Sequence, residues 1–146
     1  MKNLKLYHIP IVYMLVYVVA ILATGIWLFL LSQGLSSSTI MQTLTQIVTV
    51  PEPKSLHNFI EVATPHLFAI GTLIFVVAHF MLFSTKVSQK LSLRISILLF
   101  ILAFFNIVLY LPIVFGLLVS GWIKLLCMGL FVGVFLLLLG MVAFSL

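Results

Sequence analysis

Two histidines, His66 and His79, stand within an apolar stretch that runs from Glu61 to Ser84. An ionisable ring inside a membrane-spanning helix is costly, so each histidine marks a functional hypothesis by default. Their spacing corresponds to about 20 Å of helical rise and a rotation of roughly 140°. We therefore expect the two rings to lie at two levels of the membrane and on different sides of the helix, where they do not share one ligand.

A second group of titratable side chains surrounds the start of this stretch. His57 and Glu61 are four residues apart, which places them on one face of a helix, and His66 follows. Two imidazoles and a carboxylate can bind copper, zinc or iron, or can hydrogen-bond a quinone carbonyl and transfer its proton. The spacing matches no established metal motif, so ordinary interfacial polar residues are the alternative interpretation.

His79 suggests a different chemistry, because Phe68 and Phe75 lie on the same helical stripe. A membrane haem needs axial histidine nitrogens within apolar and aromatic walls. His8, the other histidine on that side, lies too shallow to share an iron with it, so His79 of a second subunit is the better partner. The alternatives are quinone or proton transfer, and a structural hydrogen bond to a neighbouring helix.

The composition indicates which elements must position these residues. Of the 146 residues, 64% are hydrophobic and 6% are charged, whereas a soluble domain is about 25% charged. Helices are the default in lipid, which satisfies no backbone polar groups. The predicted fold is all-α, an integral membrane four-helix antiparallel bundle that forms a single domain. Its four apolar runs, each about 20 residues, are residues 9–31, 65–83, 95–115 and 122–144.

The region between the first two spans, residues 32–64, is expected to lie outside the hydrocarbon. Ile40, Leu44 and Ile47 recur there at helical spacing, with polar residues between them, which predicts a short amphipathic helix on the membrane interface. The sequence "PEP" then ends this helix, since proline cannot continue it. The fold therefore includes a short interfacial helical region between spans one and two.

The start of the second span has two possible forms. Ser55 is a suitable N-cap for a helix that precedes the span. Thr64 and Pro65 are suitable as the N-cap and first residue of a separate spanning helix. Alternatively, one long helix runs through and kinks at Pro65. The sequence leaves both forms open.

Small residues indicate where helices approach closely in lipid, because packing there depends on contact between backbones. The open interpretations are packing within the chain, homodimerisation and no special role. The residues concerned are Gly129, Gly133 and Gly140 in span four, and Thr64, Gly71 and Ala78 in span two.

Two other side chains lie within the third and fourth spans. Asn106 lies in the third span, where we predict an interhelical hydrogen bond. Cys127 is the single cysteine, which excludes an intramolecular disulfide and favours a role as a small packing residue.

The basic residues predict the orientation of the chain. The positive-inside rule places the side with more basic residues in the cytoplasm, so both termini are expected there, in a bacterial inner membrane. The first apolar run is too long for a signal peptide and is expected to be an uncleaved anchor. One side collects Lys2, Lys5, Lys86, Lys90 and Arg94, and the other has Lys54 and Lys124.

Several function classes find no support in the sequence. There is no G-x-x-x-x-G-K-[ST], no H-E-x-x-H and no C-x-x-C-H, so nucleotide binding, zincin chemistry and covalent haem lack their motifs. The net charge of +5 comes from residues at span ends and does not indicate nucleic-acid binding. A non-enzyme is favoured, with the lipid bilayer as partner, together with a second copy or a larger membrane complex.

The whole chain resembles small four-span bacterial inner-membrane proteins of uncharacterised function, on its length, its span pattern and the stretch "PHLFAIGTLIFVVAHF". Some of these carry an elongation factor-1 alpha label, which the missing GTP-binding loop contradicts. The second span also loosely resembles the histidine-bearing helices of b-type cytochromes. That resemblance implies haem b or a quinone held through His66 and His79, hence a small redox-associated subunit. The alternatives are a non-catalytic scaffold or assembly subunit with structural histidines, and a metal-handling membrane protein.

Overall fold

The computed structural model describes residues 4–51, 53–82, 84, 86–117 and 120–145. The elements found in these residues are all α-helices, as expected for a chain whose backbone must bond within its own helices in lipid. In chain order they are α1 (Leu4–Ser32), α2 (Ile40–Thr49), α3 (Leu56–Met81), α4 (Gln89–Val108), α5 (Leu111–Val114) and α6 (Trp122–Ser145).

Four segments are long and apolar enough to cross a membrane, so the chain is a multi-pass membrane protein. The predicted all-α four-helix membrane bundle is confirmed. The second span begins nine residues before its expected start at Pro65, while its expected end at Phe83 lies outside the described residues. The four spans are His8–Ser32, Leu56–Met81, Gln89–Val114 and Trp122–Ser145.

Helix α3 is one continuous helix that contains Pro65, which decides between the two forms left open by the sequence. Ser55 caps it as expected, since its side chain accepts a hydrogen bond from the backbone N–H of Asn58. Proline has no N–H, so the carbonyl of Glu61 loses its usual partner one turn later. The turn that carries His57 therefore belongs to the spanning helix and not to a separate interfacial one.

Helix α2 is the short helix predicted between the first two spans. It begins with a capping box, in which the Thr39 hydroxyl accepts from the N–H of Gln42 and the Gln42 side chain accepts from the N–H of Thr39. The reciprocal pair satisfies two backbone groups that the first turn would otherwise leave unbonded. This local chemistry explains why ten residues suffice for a defined helix.

The end of α2 is fastened to the loop that precedes α6. The N–H of Gly121 donates to the carbonyl of Ile47 at 3.0 Å, and the Ser120 hydroxyl donates to the carbonyl of Val48 at 2.7 Å. A Cβ at Gly121 would overlap the Ile47 carbonyl oxygen, so glycine is required for this approach. The end of α1 at Ser32, the start of α3 at Leu56 and the start of α6 at Trp122 lie at the same end of the molecule as α2. We call this end the α2 end of the bundle.

The core is built mainly from α3, α4 and α6, with α4 packed against both of the others. Leu99 of α4 and Phe135 of α6 are fully buried at its centre. Helix α1 contacts α6 and adds Ile11 and Val18 to the same core. The other core residues described are Ile74, Val77, Met81, Ala103, Phe131, Leu138, Leu139 and Val142.

Candidate functional site

An exposed row of polar and aromatic side chains runs along the whole length of α3. Because α3 is one continuous helix, residues spaced by three and four lie on the same side of it. All members of this row are exposed, whereas Ile74, Val77 and Met81 on the opposite side are fully buried and apolar. We call the row the α3 stripe; it consists of His57, Glu61, Thr64, Phe68, Thr72, Phe75 and His79.

His79 lies near the end of the α3 stripe that is farther from α2. Its ring stacks on that of Phe75, with centroids 6.1 Å apart and an interplanar angle of 28°. Phe75 and Phe68 are themselves 63% and 78% exposed, so the aromatic wall expected beside His79 faces outward from the chain. Any planar group that contacts His79 would therefore be held between this chain and another molecule.

His66 is exposed but does not belong to the α3 stripe. It is rotated about 140° from His79, on the flank of the side that packs into the core. Its ring Nδ1 lies 2.9 Å from the carbonyl oxygen of Val62 and donates to it, because a carbonyl can only accept. The two histidines therefore belong to different surfaces of α3.

The three residues considered as metal ligands are not brought together. His57 and Glu61 lie on the α3 stripe, while His66 lies on another side of the helix. Within the described part of the chain, no group of three or more His, Cys, Asp or Glu side chains is placed to hold a metal ion. The continuation of α3 as one helix through Pro65 is what separates them.

The four glycines expected at helix contacts have open space beside them in the described part of the chain. A Cβ added at Gly71, Gly129, Gly133 or Gly140 would meet no described neighbouring atom within 4 Å. Thr64 is exposed and Ala78 is only half-buried. Gly71 instead lines an apolar cavity of about 260 Å³ between α3 and α4, together with Leu67, Ile70, Phe100, Ala103, Phe104 and Ile107.

Asn106 makes the interhelical hydrogen bond that was predicted for it, and its partner is Lys124 of α6. The ammonium group of Lys124 lies 2.8 Å from Asn106 Oδ1 and also donates to the backbone carbonyl of Asn106. It lies 5.7 Å from the ring centroid of Phe29 on α1. One side chain thus connects three spanning helices.

Sequence reasoning missed Lys124, because a lysine at the end of an apolar run usually extends toward water. Here the side chain turns into the bundle instead. The available signal was a mid-span asparagine that needed a partner, together with a lysine in the first turn of the next spanning helix. Cys127, one turn beyond Lys124, is buried as predicted, and its thiol lies 3.7 Å from the carbonyl of Leu102.

Other polar side chains are buried near the α2 end. Gln33, just after α1, is 1% exposed, and its Nε2 has no hydrogen-bond partner in the described part of the molecule. Thr43 of α2 is fully buried, with its hydroxyl 2.7 Å from that of Ser38. This end of the bundle therefore holds an ammonium group and a buried amide donor with no acceptor among the residues that the structure describes.

A family model described as a transmembrane helical domain matches residues 34–146, which include α2 through α6. The match covers more than half of the chain, so the chain belongs to this family. No curated protein and no solved structure matches it. The coarser part of the resemblance drawn from the sequence, a transmembrane protein family, is thereby confirmed.

Proposed function

We propose that this transmembrane helical domain is a non-catalytic assembly subunit, which packs its α3 stripe against a helix of another membrane protein. It acts as one domain over residues 1–146, in the bacterial inner membrane, with both termini in the cytoplasm. The loop between α3 and α4 carries Lys86, and the first two turns of α4 carry Lys90 and Arg94, which supports this orientation.

The observation that carries the proposal is the composition of the α3 stripe. Thr72 lies near the middle of a spanning helix and is exposed, and His79 is exposed closer to its end. Polar side chains within membranes mostly face other helices, where each interhelical hydrogen bond is worth about 0.6 kcal/mol on average. A stripe of this composition suits contact with protein better than contact with acyl chains.

The exposed side of α6 supports the proposal by contrast. Leu126, Leu130, Leu137 and Phe144 are all exposed there, and they are wholly apolar. Such a surface is what acyl chains solvate at no cost. The same chain therefore presents one side that suits lipid and one that suits a protein partner.

A second candidate role uses the same stripe for haem b or a quinone. The observation that favours it is the stacked pair of Phe75 and His79, which offers an imidazole and an aromatic face together. Haem would need a second axial ligand, and His79 of a second copy would supply it. A quinone would need only a hydrogen bond from the His79 ring to one of its carbonyl oxygens.

Photocrosslinking tests the assembly role. A photoreactive phenylalanine derivative replaces Thr72 on the α3 stripe or, as the matched control, Leu137 on α6. We expect a discrete protein adduct from position 72 and only lipid adducts from position 137. Lipid adducts alone from both positions would contradict the proposal.

An absorption spectrum of the detergent-purified protein, with metal analysis, separates the two roles. A Soret band that disappears in His79→Ala but persists in His66→Ala would establish haem. A colourless, metal-free preparation that still forms the position-72 adduct supports the assembly role. The histidine at position 66 serves as the control because it lies on a different surface.

A further inference from the structure

We propose that the α2 end of the bundle binds a phosphate group through Lys124, and that in the membrane this phosphate belongs to an anionic phospholipid. The inference does not depend on the proposed assembly role. It concerns a different helix, a different surface and a small ligand.

The ammonium group of Lys124 is enclosed by uncharged partners. Two of its contacts are the oxygens of Asn106, and the third is the ring of Phe29. None of these groups carries a negative charge. Because a partly buried cation with no acidic partner among the described residues is costly, the position favours an added anion.

No acid of the described chain supplies that anion. Of the two acids in the sequence, Glu52 lies outside the described residues, and Glu61 is exposed on the α3 stripe. Near the end of α2, the carbonyls of Ile47 and Val48 already accept from Gly121 and Ser120. No described residue therefore provides an anion at Lys124.

Gln33 provides a second, independent indication of a ligand. Its Nε2 is buried and has no acceptor among the described residues, although an unpaired buried donor costs about 1–3 kcal/mol. Gln33 lies just past the end of α1, four residues after Phe29, the α1 residue that Lys124 contacts. An unpaired amide donor and an ammonium group at the same end of the bundle both favour an added oxygen acceptor.

The position in the membrane indicates where the phosphate comes from. Helix α6 has 24 residues, hence a length of about 36 Å, compared with about 30 Å for the hydrocarbon core. Lys124 is its third residue, so a helix centred in the bilayer places it at the edge of the hydrocarbon core, next to the headgroup region. Anionic lipids attract basic side chains at that level.

The test measures lipid binding to the purified full-length protein after delipidation. Native mass spectrometry compares dioleoylphosphatidylglycerol with dioleoylglycerol, which has the same acyl chains and no phosphate. Lys124→Met removes the charge, and Asn106→Asp places a permanent carboxylate beside it. We expect both variants to lose affinity for the phospholipid by about tenfold or more, as for loss of a charge-assisted hydrogen bond.

Lys86→Met is the matched control. The Lys86 ammonium also donates to a backbone carbonyl, that of Phe144 at 2.9 Å, and lies 5.3 Å from the Phe144 ring centroid, but at the opposite end of the bundle. It should bind the phospholipid as the unchanged protein does. An equal loss in Lys86→Met, or no loss in the two site variants, would overturn the proposal.

A further arm distinguishes the two sources of phosphate. Inorganic phosphate alone is added while thermal unfolding is followed. Stabilisation that depends on Lys124, without selective phospholipid binding, supports the phosphate site and assigns it to a soluble ligand. If Lys124→Met does not fold, the binding measured for Asn106→Asp tests the proposal, because its new ion pair with Lys124 preserves the contact between α4 and α6. Failure of both ligands to bind in a Lys124-dependent way ends the proposal.

Discussion

Helices α1 and α6 are both long and apolar enough to span a membrane, yet they hold different places in the bundle. Helix α6 buries side chains along most of its length, from Cys127 to Val142. Among its described side chains, α1 buries only the widely separated Ile11, Val18 and Leu30. The comparison shows that hydropathy identifies a span but does not show whether it lies at the centre or the edge.

The family match also separates α1 from the other helices. It covers residues 34–146 and so begins just after α1. Helix α1 is joined to the rest by its core contacts with α6 and by the approach of Lys124 to Phe29. We therefore expect substitutions in the α2–α6 region to cost more than equivalent substitutions in α1.

The largest expected effect is that of Phe135→Ala. Phe135 is fully buried between helices, so its removal should lower the free energy of unfolding by about 3–5 kcal/mol. Phe105→Ala, at a position that is 48% exposed on α4, should cost less than about 1 kcal/mol. Unfolding in mixed micelles of increasing denaturing detergent measures both. Equal losses would show that α6 is not central.

Two glycine substitutions compare the stability contributed by the contact between α2 and the loop before α6 with that contributed by the exposed side of α6. Gly121→Ala forces a methyl group against the Ile47 carbonyl and should cost about 1–3 kcal/mol. The methyl group of Gly133→Ala meets no neighbouring atom of the described residues, so this change should be nearly neutral for a single copy. The same unfolding assay applies to both. A loss at Gly133 that grows with protein concentration would indicate homodimerisation through α6.

One substitution made at two equally buried valines compares α1 with the core directly. Val77 of α3 and Val18 of α1 are 0% and 1% exposed. Val77→Ala should cost about 2 kcal/mol. Val18→Ala should cost no more than about half of that, because a peripheral helix can shift to close the cavity. A larger loss at Val18 would make α1 an integral part of the core.

The smallest effect requires no substitution. Amide hydrogen exchange in nanodiscs should be faster in α1 than in α4 and α6, since local opening is easier where few side chains are buried. The signal is read from peptides at the two ends of α1, where water reaches the backbone. Equal protection in all spanning helices would contradict the peripheral position.

Local features were predictable because their partners are close in the chain. Ser55 caps α3 through a residue three positions later, and α2 is defined by the spacing of its own apolar residues. The path of α3 through Pro65 was not predictable, because a proline can begin a helix or lie within one. The sequence identified the individual residues of the candidate site but not the surface that they form. His57 and His79 share the α3 stripe only because the helix is continuous.

The sequence alone determined that four apolar runs become spanning helices, since lipid leaves the backbone no other way to bond. Only the tertiary structure decided that Lys124 turns inward to Asn106, that α1 lies at the edge and that the α3 stripe faces outward. These outcomes depend on how each helix is rotated against its neighbours. Lipid is as apolar as the helices themselves, so it provides no hydrophobic force that a sequence pattern could reveal.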